Sequence, residues 1–137
     1  IFALMALGAE GVQMGTRFAL TDESSASDIF KEYCLRLNEG DTKLLLKKLA
    51  PTRLVTNSFR DRVEAAEGRG ASAEELRELL GRGRAKKGIF EGDLEEGELE
   101  IGQDAALFRR RQSVDEVMKE LLEGYRRASD KIRSAGL

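Results

Sequence analysis

The stretch GVQMGTRF, residues 11–18, carries most of the information about the fold. From residue 12 on to Leu20, apolar residues alternate with polar or small ones, which is the two-residue period of a β-strand. Before it, the apolar segment Ile1–Leu7 consists of good helix formers and is followed by Gly8, as is typical at a helix C-terminus. The sequence therefore predicts the buried last turn of a helix, a tight turn and a strand.

Length and composition restrict the chemistry that this chain can perform. It has 137 residues, of which 41% are hydrophobic, and this is enough for the core of one ordinary domain. The formal net charge is only −2, so no polyelectrolyte partner such as nucleic acid is required. There is no histidine, which excludes a Ser–His or Cys–His nucleophile, a histidine metal ligand and a histidine base within this chain.

The cysteine count and the apolar segments bear on the cellular setting. Cys34 is the only cysteine, so an intrachain disulfide and a multi-cysteine zinc site are excluded, and a reducing, cytoplasmic setting is expected. No apolar run approaches the roughly 18 residues of a membrane span, and Ile1–Leu7 lacks the basic leader of a targeting signal. Because the sequence enters an apolar stretch at once and without Met, we expect it to be a fragment of a longer protein.

Most of the remaining chain has the pattern of helices. Ser72 and Ser113 each precede a glutamate by three residues and so form predicted capping boxes. The predicted helices are Ile29–Leu37, ending near Gly40, Arg60–Glu67, Ser72–Leu80 and a long amphipathic C-terminal helix after Ser113. Residues 42–58 stay ambiguous, because their leucines favour a helix whereas Pro51 and the residues after it favour an extended segment. Residues 81–102 contain six glycines and are predicted to form turns and a loop.

Gly15 and Thr16 are the candidate site of most interest. A strand that ends in Gly-Thr can bring backbone N–H groups close to a phosphate, because Gly15 has no Cβ and Thr16 adds a hydroxyl. The alternative is that Gly15 only relieves crowding at a strand end and that Thr16 is there for its β propensity. Composition favours this second interpretation.

Three other features have structural explanations that are preferred on the residues alone. The acidic segment 88–107 does not match the glycine spacing of a calcium loop, so a solvated acidic loop is expected. The basic residues at 82–87 and 109–111 lie beside acidic clusters and lack interleaved aromatic residues, which argues against nucleic-acid binding. Cys34 lies on the apolar stripe of its predicted helix, which favours a packed thiol over a nucleophile.

Several of these segments resemble one protein family. Residues 4–18 (LMALGAEGVQMGTRF), followed by TDES at 21–24, strongly resemble the last barrel strand of the FMN-dependent nitronate monooxygenases (2-nitropropane dioxygenases) and the related flavin enoyl-acyl-carrier-protein reductases. The helix Ile29–Leu37 is similar to the family's next helix. Gly92–Gly97, Gly102–Gln103 and the terminal helix resemble its C-terminal extension, so the resemblance covers essentially the whole chain.

The resemblance implies an α/β fold, namely the C-terminal fragment of a TIM (β/α)₈ barrel. Residues 1–39 would be the end of helix 7, strand 8 and helix 8, and residues 40–137 a mostly helical C-terminal extension within one folded unit. A single barrel strand leaves both of its edges unpaired. We therefore expect the isolated chain to be helix-dominated, with the rest of the barrel or a second copy of the chain as the partner of its exposed strand.

The resemblance also assigns binding roles. The backbone of Gln13, Met14, Gly15 and Thr16 would hold the FMN phosphate, with the Thr16 hydroxyl as a further donor, which agrees with the phosphate sites that TIM barrels place after strands seven and eight. The Gly102–Gln103 turn resembles a segment near the substrate side of the flavin, which makes Gln103 and Asp104 candidates for substrate contact.

No catalytic residue and no metal ligand is assigned in this chain, because the family's catalytic histidine belongs to upstream sequence. Many members also carry a histidine shortly after the Glu-Ser of the eighth loop, where Ser27 or Asp28 stands here. The implied function is that of an FMN-dependent oxidoreductase, which reduces an enoyl thioester with NAD(P)H or oxidises a nitronate with oxygen. The isolated chain is expected to be inactive. The alternative is a non-catalytic helical interaction module derived from the family.

Overall fold

The computed structural model of the chain describes residues 1–136. These residues form α-helices and one β-hairpin in the order α1 (Phe2–Ala6), α2 (Thr16–Ala19), α3 (Asp28–Cys34), β1 (Thr42–Leu45), β2 (Thr52–Val55), α4 (Ser58–Gly68), α5 (Ala73–Leu80) and α6 (Val114–Ser134). Between α5 and α6 lie a π-helical turn, Lys86–Phe90, and a 3-10 helix, Gln103–Leu107. Within the described residues, no helix is both long and apolar enough to cross a lipid bilayer.

The two predicted capping boxes are confirmed. Ser72 Oγ accepts a hydrogen bond from the backbone N–H of Glu75 at 3.2 Å, and the Glu75 side chain accepts one from the Ser72 N–H in return. The Ser113 box at the start of α6 has the same reciprocal bonds. Each capping box provides side-chain acceptors for backbone N–H groups that the first turn of a helix leaves unpaired. The residues that do this are three positions apart, so these helix starts can be recognised in the sequence.

Helix α3 is shorter than predicted, because it ends at Cys34 rather than near Gly40. The backbone N–H of Asn38 donates to the carboxylate of Asp41 at 2.7 Å, and the N–H of Asp41 donates to the Asn38 carbonyl at 3.2 Å. A local side-chain acceptor thus replaces the helical acceptor, which is how Asp and Asn end helices.

The predicted strand over residues 11–20 is wrong for this chain. Residues 11–14 pair with no other strand in the described structure, and residues 16–19 form the short helix α2. The Gly15 carbonyl accepts hydrogen bonds from Phe18 N–H at 3.1 Å and Ala19 N–H at 2.9 Å, which closes this turn. The buried residues are Thr16 and Leu20, four positions apart, so the helical period replaces the period of two.

The helical turn predicted before Gly8 is present as α1, but the prediction that it is buried is wrong. No residue of α1 is buried, and Leu7 is 85% exposed. On α6, the apolar stripe is also largely uncovered, with Leu122 51% exposed and Val117 as the only buried residue of that helix. The two helices touch through the rings of Phe2 and Tyr125, whose centroids lie 5.6 Å apart in an edge-to-face arrangement. An apolar surface made by α1 and α6 is therefore open to solvent.

The ambiguous residues 42–58 contain the hairpin. Strands β1 and β2 pair antiparallel, with Thr42 opposite Val55 and Leu45 opposite Thr52. A third extended segment joins the other edge of β2, where the Val55 N–H donates to the Leu99 carbonyl at 2.9 Å. The hairpin therefore anchors the segment that leads into Gly102.

The extended segment that pairs with β2 is also part of the hydrophobic core. Phe30, Cys34, Val55 and Leu99 belong to one buried cluster that joins α3, β2 and the third segment. Just before Leu99, a Cβ on Gly97 would overlap the backbone of Gly88 and of Asp93, so only glycine fits. This packing leads the segment to Gly102, which lies against Thr16 of α2.

Candidate functional site

The site is centred on a contact between Thr16 and Gly102, which lie 86 residues apart in the sequence. The Thr16 hydroxyl accepts a hydrogen bond from the Gly102 N–H at 3.1 Å, and Thr16 is only 8% exposed. A Cβ on Gly102 would overlap Thr16 Oγ1 and the Asp104 carboxylate, so the close approach requires glycine. Because the hydroxyl is used as an acceptor, its own O–H remains free to donate.

Gly15 has a different environment. Its φ of −98° is open to any residue, and a Cβ there would meet nothing within 4 Å. Neither the backbone conformation nor the packing of the described residues requires glycine at this position. None of residues 1–136 accepts a hydrogen bond from the N–H groups of Gly15, Thr16 or Arg17. The fold thus leaves a bare backbone with free donors beside an open space.

That space is a cleft of about 520 Å³ between α2, β2 and the segment before Gly102. Gly15, Thr16 and Gly102 lie on its walls, together with Arg53 and Glu100. Burial raises the pKa of the Glu100 carboxyl above its usual value. The cleft therefore combines free backbone amides with a guanidinium-bearing residue and a carboxyl group whose charged form is disfavoured.

A second cavity of about 710 Å³ adjoins the first and shares Arg53 with it. It contains Gln103 and Asp104, the two residues predicted to lie on the substrate side. Gln13 and Met14 line neither cavity; Gln13 is exposed and Met14 is half-buried. The structure thus brings Gly15 and Thr16 together with the Gly102 turn, but it does not place the Gln13 and Met14 side chains there.

Arg53 and Glu100 were missed by sequence reasoning. Arg53 lies on β2, within the ambiguous residues 42–58, and Glu100 lies in what the sequence shows only as an acidic loop. Pro51 together with the β-prone residues after it was the one available signal for the hairpin. Their position beside Thr16 depends on pairing between distant segments, which no local spacing reports.

Arg17 connects the candidate site to α6 and to the residues before it. Its guanidinium lies 4.7 Å from the centroid of the Phe108 ring and donates to the side chains of Gln112 and Glu120. A cation over an aromatic ring that also has a carboxylate partner is well fixed. The chain direction after Gly15 is therefore set by contacts with the C-terminal region.

The position where many family members carry histidine is structural here. Ser27 caps α3 by accepting a hydrogen bond from the Phe30 N–H at 3.2 Å, and Asp28 pairs with Arg111 at 2.8 Å. The preceding loop is held by Lys31, whose buried ammonium donates to the carbonyl of Ser24 at 2.7 Å. These contacts hold the loop in place. The loop contains no imidazole side chain.

The remaining titratable candidates have structural roles. Cys34 is fully buried, and burial raises the pKa of its thiol to about 12, which confirms a packed thiol. Asp93 caps the turn at Glu96, and Glu96 pairs with Arg62, so much of the acidic loop is engaged rather than solvated. Among residues 1–136, no group of three or more Cys, Asp or Glu side chains is arranged to hold a metal ion.

Similarity to known proteins extends over nearly the whole chain. The model of the family described as nitronate monooxygenase matches residues 1–124. A probable nitronate monooxygenase of Staphylococcus saprophyticus is 52% identical over 62 residues, which are 43% of this chain and 17% of that protein. One from Staphylococcus aureus is 38% identical over 71 residues, which are 50% of this chain and 19% of that protein.

The solved structure of FabK from Thermotoga maritima matches 96% of this chain with a TM-score of 0.85 and 32% sequence identity. The match covers 42% of the FabK chain, so this sequence spans less than half of that protein and a smaller part of the curated relatives. With its family model covering residues 1–124, the chain belongs to the nitronate monooxygenase family.

Proposed function

We propose that this chain is the C-terminal part of an FMN-dependent oxidoreductase and that it contributes the segment that binds the FMN phosphate. The observation that carries the proposal is that Gly15 and Thr16 line the cleft with backbone N–H groups that have no acceptor among residues 1–136, and that a side chain at Gly15 would meet no protein atom. A glycine beside a cleft has no side chain, so a ligand can approach its backbone closely.

The residues present fit a phosphate group. The amides of Gly15 and Thr16 are free donors, and the Thr16 hydroxyl keeps its own proton to donate. Oriented backbone N–H groups are a common anion site in proteins, and TIM barrels use the loops after strands seven and eight in this way. The backbone of Gln13 and Met14 completes the proposed phosphate segment, and Gln103 and Asp104 are the proposed substrate-side residues.

The bound flavin would supply the redox chemistry. The task of this chain is then to hold one end of the cofactor and to form part of the substrate cavity. Burial raises the pKa of the Glu100 carboxyl beside the cleft, which disfavours its charged form and so its repulsion of a phosphate. Two reactions remain as proposals for the whole protein, reduction of an enoyl thioester with NAD(P)H or oxidation of a nitronate with oxygen.

An FMN titration tests the phosphate site. We expect weak quenching of flavin fluorescence by the wild-type chain and at least about tenfold weaker binding by Gly15→Val, because the valine fills the space beside the free amides. Gly11→Val is the matched control, since Gly11 is also exposed and also has no atom within 4 Å of its Cβ position. Equal affinity of the two variants, with unchanged circular dichroism, would refute the assignment.

The open surface of α1 and α6 favours the second candidate, an interaction module. Its exposed apolar residues include Leu4, Met118 and Leu122, which lie on the helices rather than on the apolar strand that the sequence predicts, and Leu7, which directly follows α1. The partner would be the rest of the barrel or a second copy of the chain. Sedimentation of the purified chain and of Leu122→Lys tests this idea, and a wild-type chain that stays monomeric at high concentration would exclude self-association.

A further inference from the structure

Buried polar side chains are concentrated around α2 and the loop that follows it. Among residues 1–136, the buried polar or charged residues are Thr16, Thr21, Lys31, Gln112 and Glu98. All except Glu98 belong to α2, to the loop after it or to residues that contact that loop. A polar group is costly to bury unless it forms hydrogen bonds, so this part of the chain depends on specific polar contacts.

Lys31 is the only buried cation among the described residues. It is 1% exposed, and its ammonium donates to the backbone carbonyls of Asp22 at 3.2 Å and Ser24 at 2.7 Å. The carboxylates of Asp22 and Asp28 pair with Arg111 instead of with this ammonium. Two carbonyl dipoles therefore compensate the buried charge, and the charge in turn fixes the direction of these carbonyls.

The loop that Lys31 holds is joined to α2 through Gln112. The Asp22 N–H donates to the backbone carbonyl of Gln112 at 3.0 Å. The Gln112 side chain accepts a hydrogen bond from Arg17, which directly follows Thr16 in the sequence. The ammonium is therefore connected to the proposed phosphate segment by a continuous series of hydrogen bonds and covalent bonds.

Lys48 makes the same kind of contact in an exposed position. Its ammonium donates to the carbonyls of Gly70 and Ala71 at 3.2 and 2.6 Å, and so connects the hairpin loop to the residues between α4 and α5. An exposed ammonium keeps most of its hydration, whereas the buried ammonium of Lys31 loses it. An apolar side chain of similar length would fill the space at Lys31 without that cost, so packing alone does not explain a lysine at this position.

We propose that Lys31 is a positioning residue for the FMN phosphate segment: it fixes the loop after α2 and thereby keeps Gly15 and Thr16 against the cleft. This inference rests on the proposed function and extends it to a residue that does not line the cleft. In this role Lys31 acts through Gln112 and Arg17 rather than on the phosphate itself. Backbone N–H groups bind an anion well only when the surrounding structure holds them in one arrangement, and the buried charge supplies such support.

Titration with FMN and with riboflavin, which lacks the phosphate, tests this role. For Lys31→Met we expect FMN to bind about tenfold more weakly and riboflavin to bind as it does to the wild-type chain, because only the phosphate contacts are disturbed. Lys48→Met is the matched control, since it also removes two hydrogen bonds to carbonyls but lies outside the cleft, and it should change neither affinity. An equal loss for FMN and riboflavin, or an equal effect of the two variants, would overturn the inference.

Amide hydrogen exchange of the ligand-free chain is a second measurement. Lys31→Met should speed exchange of the Asp22 amide, and of the Ala19 amide that closes α2, by about tenfold or more, whereas Lys48→Met should leave both unchanged. Unchanged exchange in Lys31→Met would also overturn the inference. If that variant does not fold, the wild-type chain labelled with carbon-13 at the lysine ε position takes its place. FMN should then shift the Lys31 signal and leave that of Lys48, and the absence of a shift at Lys31 would overturn the inference.

The two proposals fail in different ways. A wild-type chain that binds FMN no more tightly than riboflavin would refute the phosphate segment and hence the proposed function. A preference for FMN that Lys31→Met fully retains would refute only the role of Lys31.

Discussion

Replacement of Gly102 by alanine tests whether the two halves of the candidate site meet as described. The new methyl group would overlap Thr16 Oγ1 and the Asp104 carboxylate. Asp104 is exposed and can rotate away at little cost. Thr16 is buried and β-branched, so its side chain has few other rotamers, and the hydrogen bond of 3.1 Å must break or the segment must move.

The expected cost has two parts. A Gly102 N–H that loses its acceptor in a half-buried position costs about 1–3 kcal/mol. An added methyl group in a packed contact costs typically about 1–3 kcal/mol more, and part of this is relieved by movement of the loop. We therefore expect Gly102→Ala to lower the free energy of unfolding by about 2–4 kcal/mol, which for a chain of this size lowers Tm by roughly 6–12 °C.

Urea denaturation and thermal melting, both followed by circular dichroism, measure this change. Thr16→Val removes the hydrogen bond without the overlap, so it should cost less, about 1–2 kcal/mol. Gly124→Ala, in the middle of α6 with no close atom at its Cβ position, should be neutral or stabilising by up to about 1 kcal/mol. If Gly102→Ala were as stable as Thr16→Val or more so, the overlap at the site would be refuted.

Other predictions concern burial. Burial and, as the second cause, the charge of Glu100 raise the pKa of the Glu98 carboxyl to about 7, above its unfolded value of 4.5. The protonated carboxyl therefore contributes fully to the free energy of unfolding below about pH 4.5, and this contribution is lost as the pH rises to about 7. Glu98→Gln should therefore add about 2–3 kcal/mol to the free energy of unfolding at pH 8 and little at pH 4, and equal effects in urea titrations at both pH values would contradict this. Gly97→Ala should cost more than about 3 kcal/mol, since its methyl overlaps the backbone of Gly88, and a Tm within 3 °C of wild type would argue against the overlap. Cys34, with a pKa of about 12, should react with a thiol reagent only after unfolding; the rate of an ordinary exposed thiol in native buffer would show that it is not buried.

Local signals in the sequence identified several elements correctly. The capping boxes at Ser72 and Ser113 mark helices that the structure contains, and Gly8 follows the short helix α1 with a φ of +99°. Cys34 lies in the core, as its place on an apolar stripe predicts. The family was recognisable as well, because the motifs that carry it are contiguous runs of residues.

The incorrect predictions share one cause. A strand at residues 11–20 needs a neighbouring strand to take up its backbone hydrogen bonds, and none of residues 1–136 supplies one, so Gly15 closes a helical turn instead. The burial of α1 and α6 likewise requires a surface to cover them. Periodicity reports which face of an element is apolar, but not whether a partner for that face is present.

By itself, the sequence determined where the capped helices begin and to which family the chain belongs. It also excluded histidine-based catalysis and an intrachain disulfide. Only the tertiary structure decided that Thr16 accepts a hydrogen bond from Gly102 and that Arg53 borders both cavities. The physical reason is the range of the interactions. A capping box joins groups three residues apart and is visible in any short window, whereas the site joins groups 86 residues apart through the packing of β2 and the core between them.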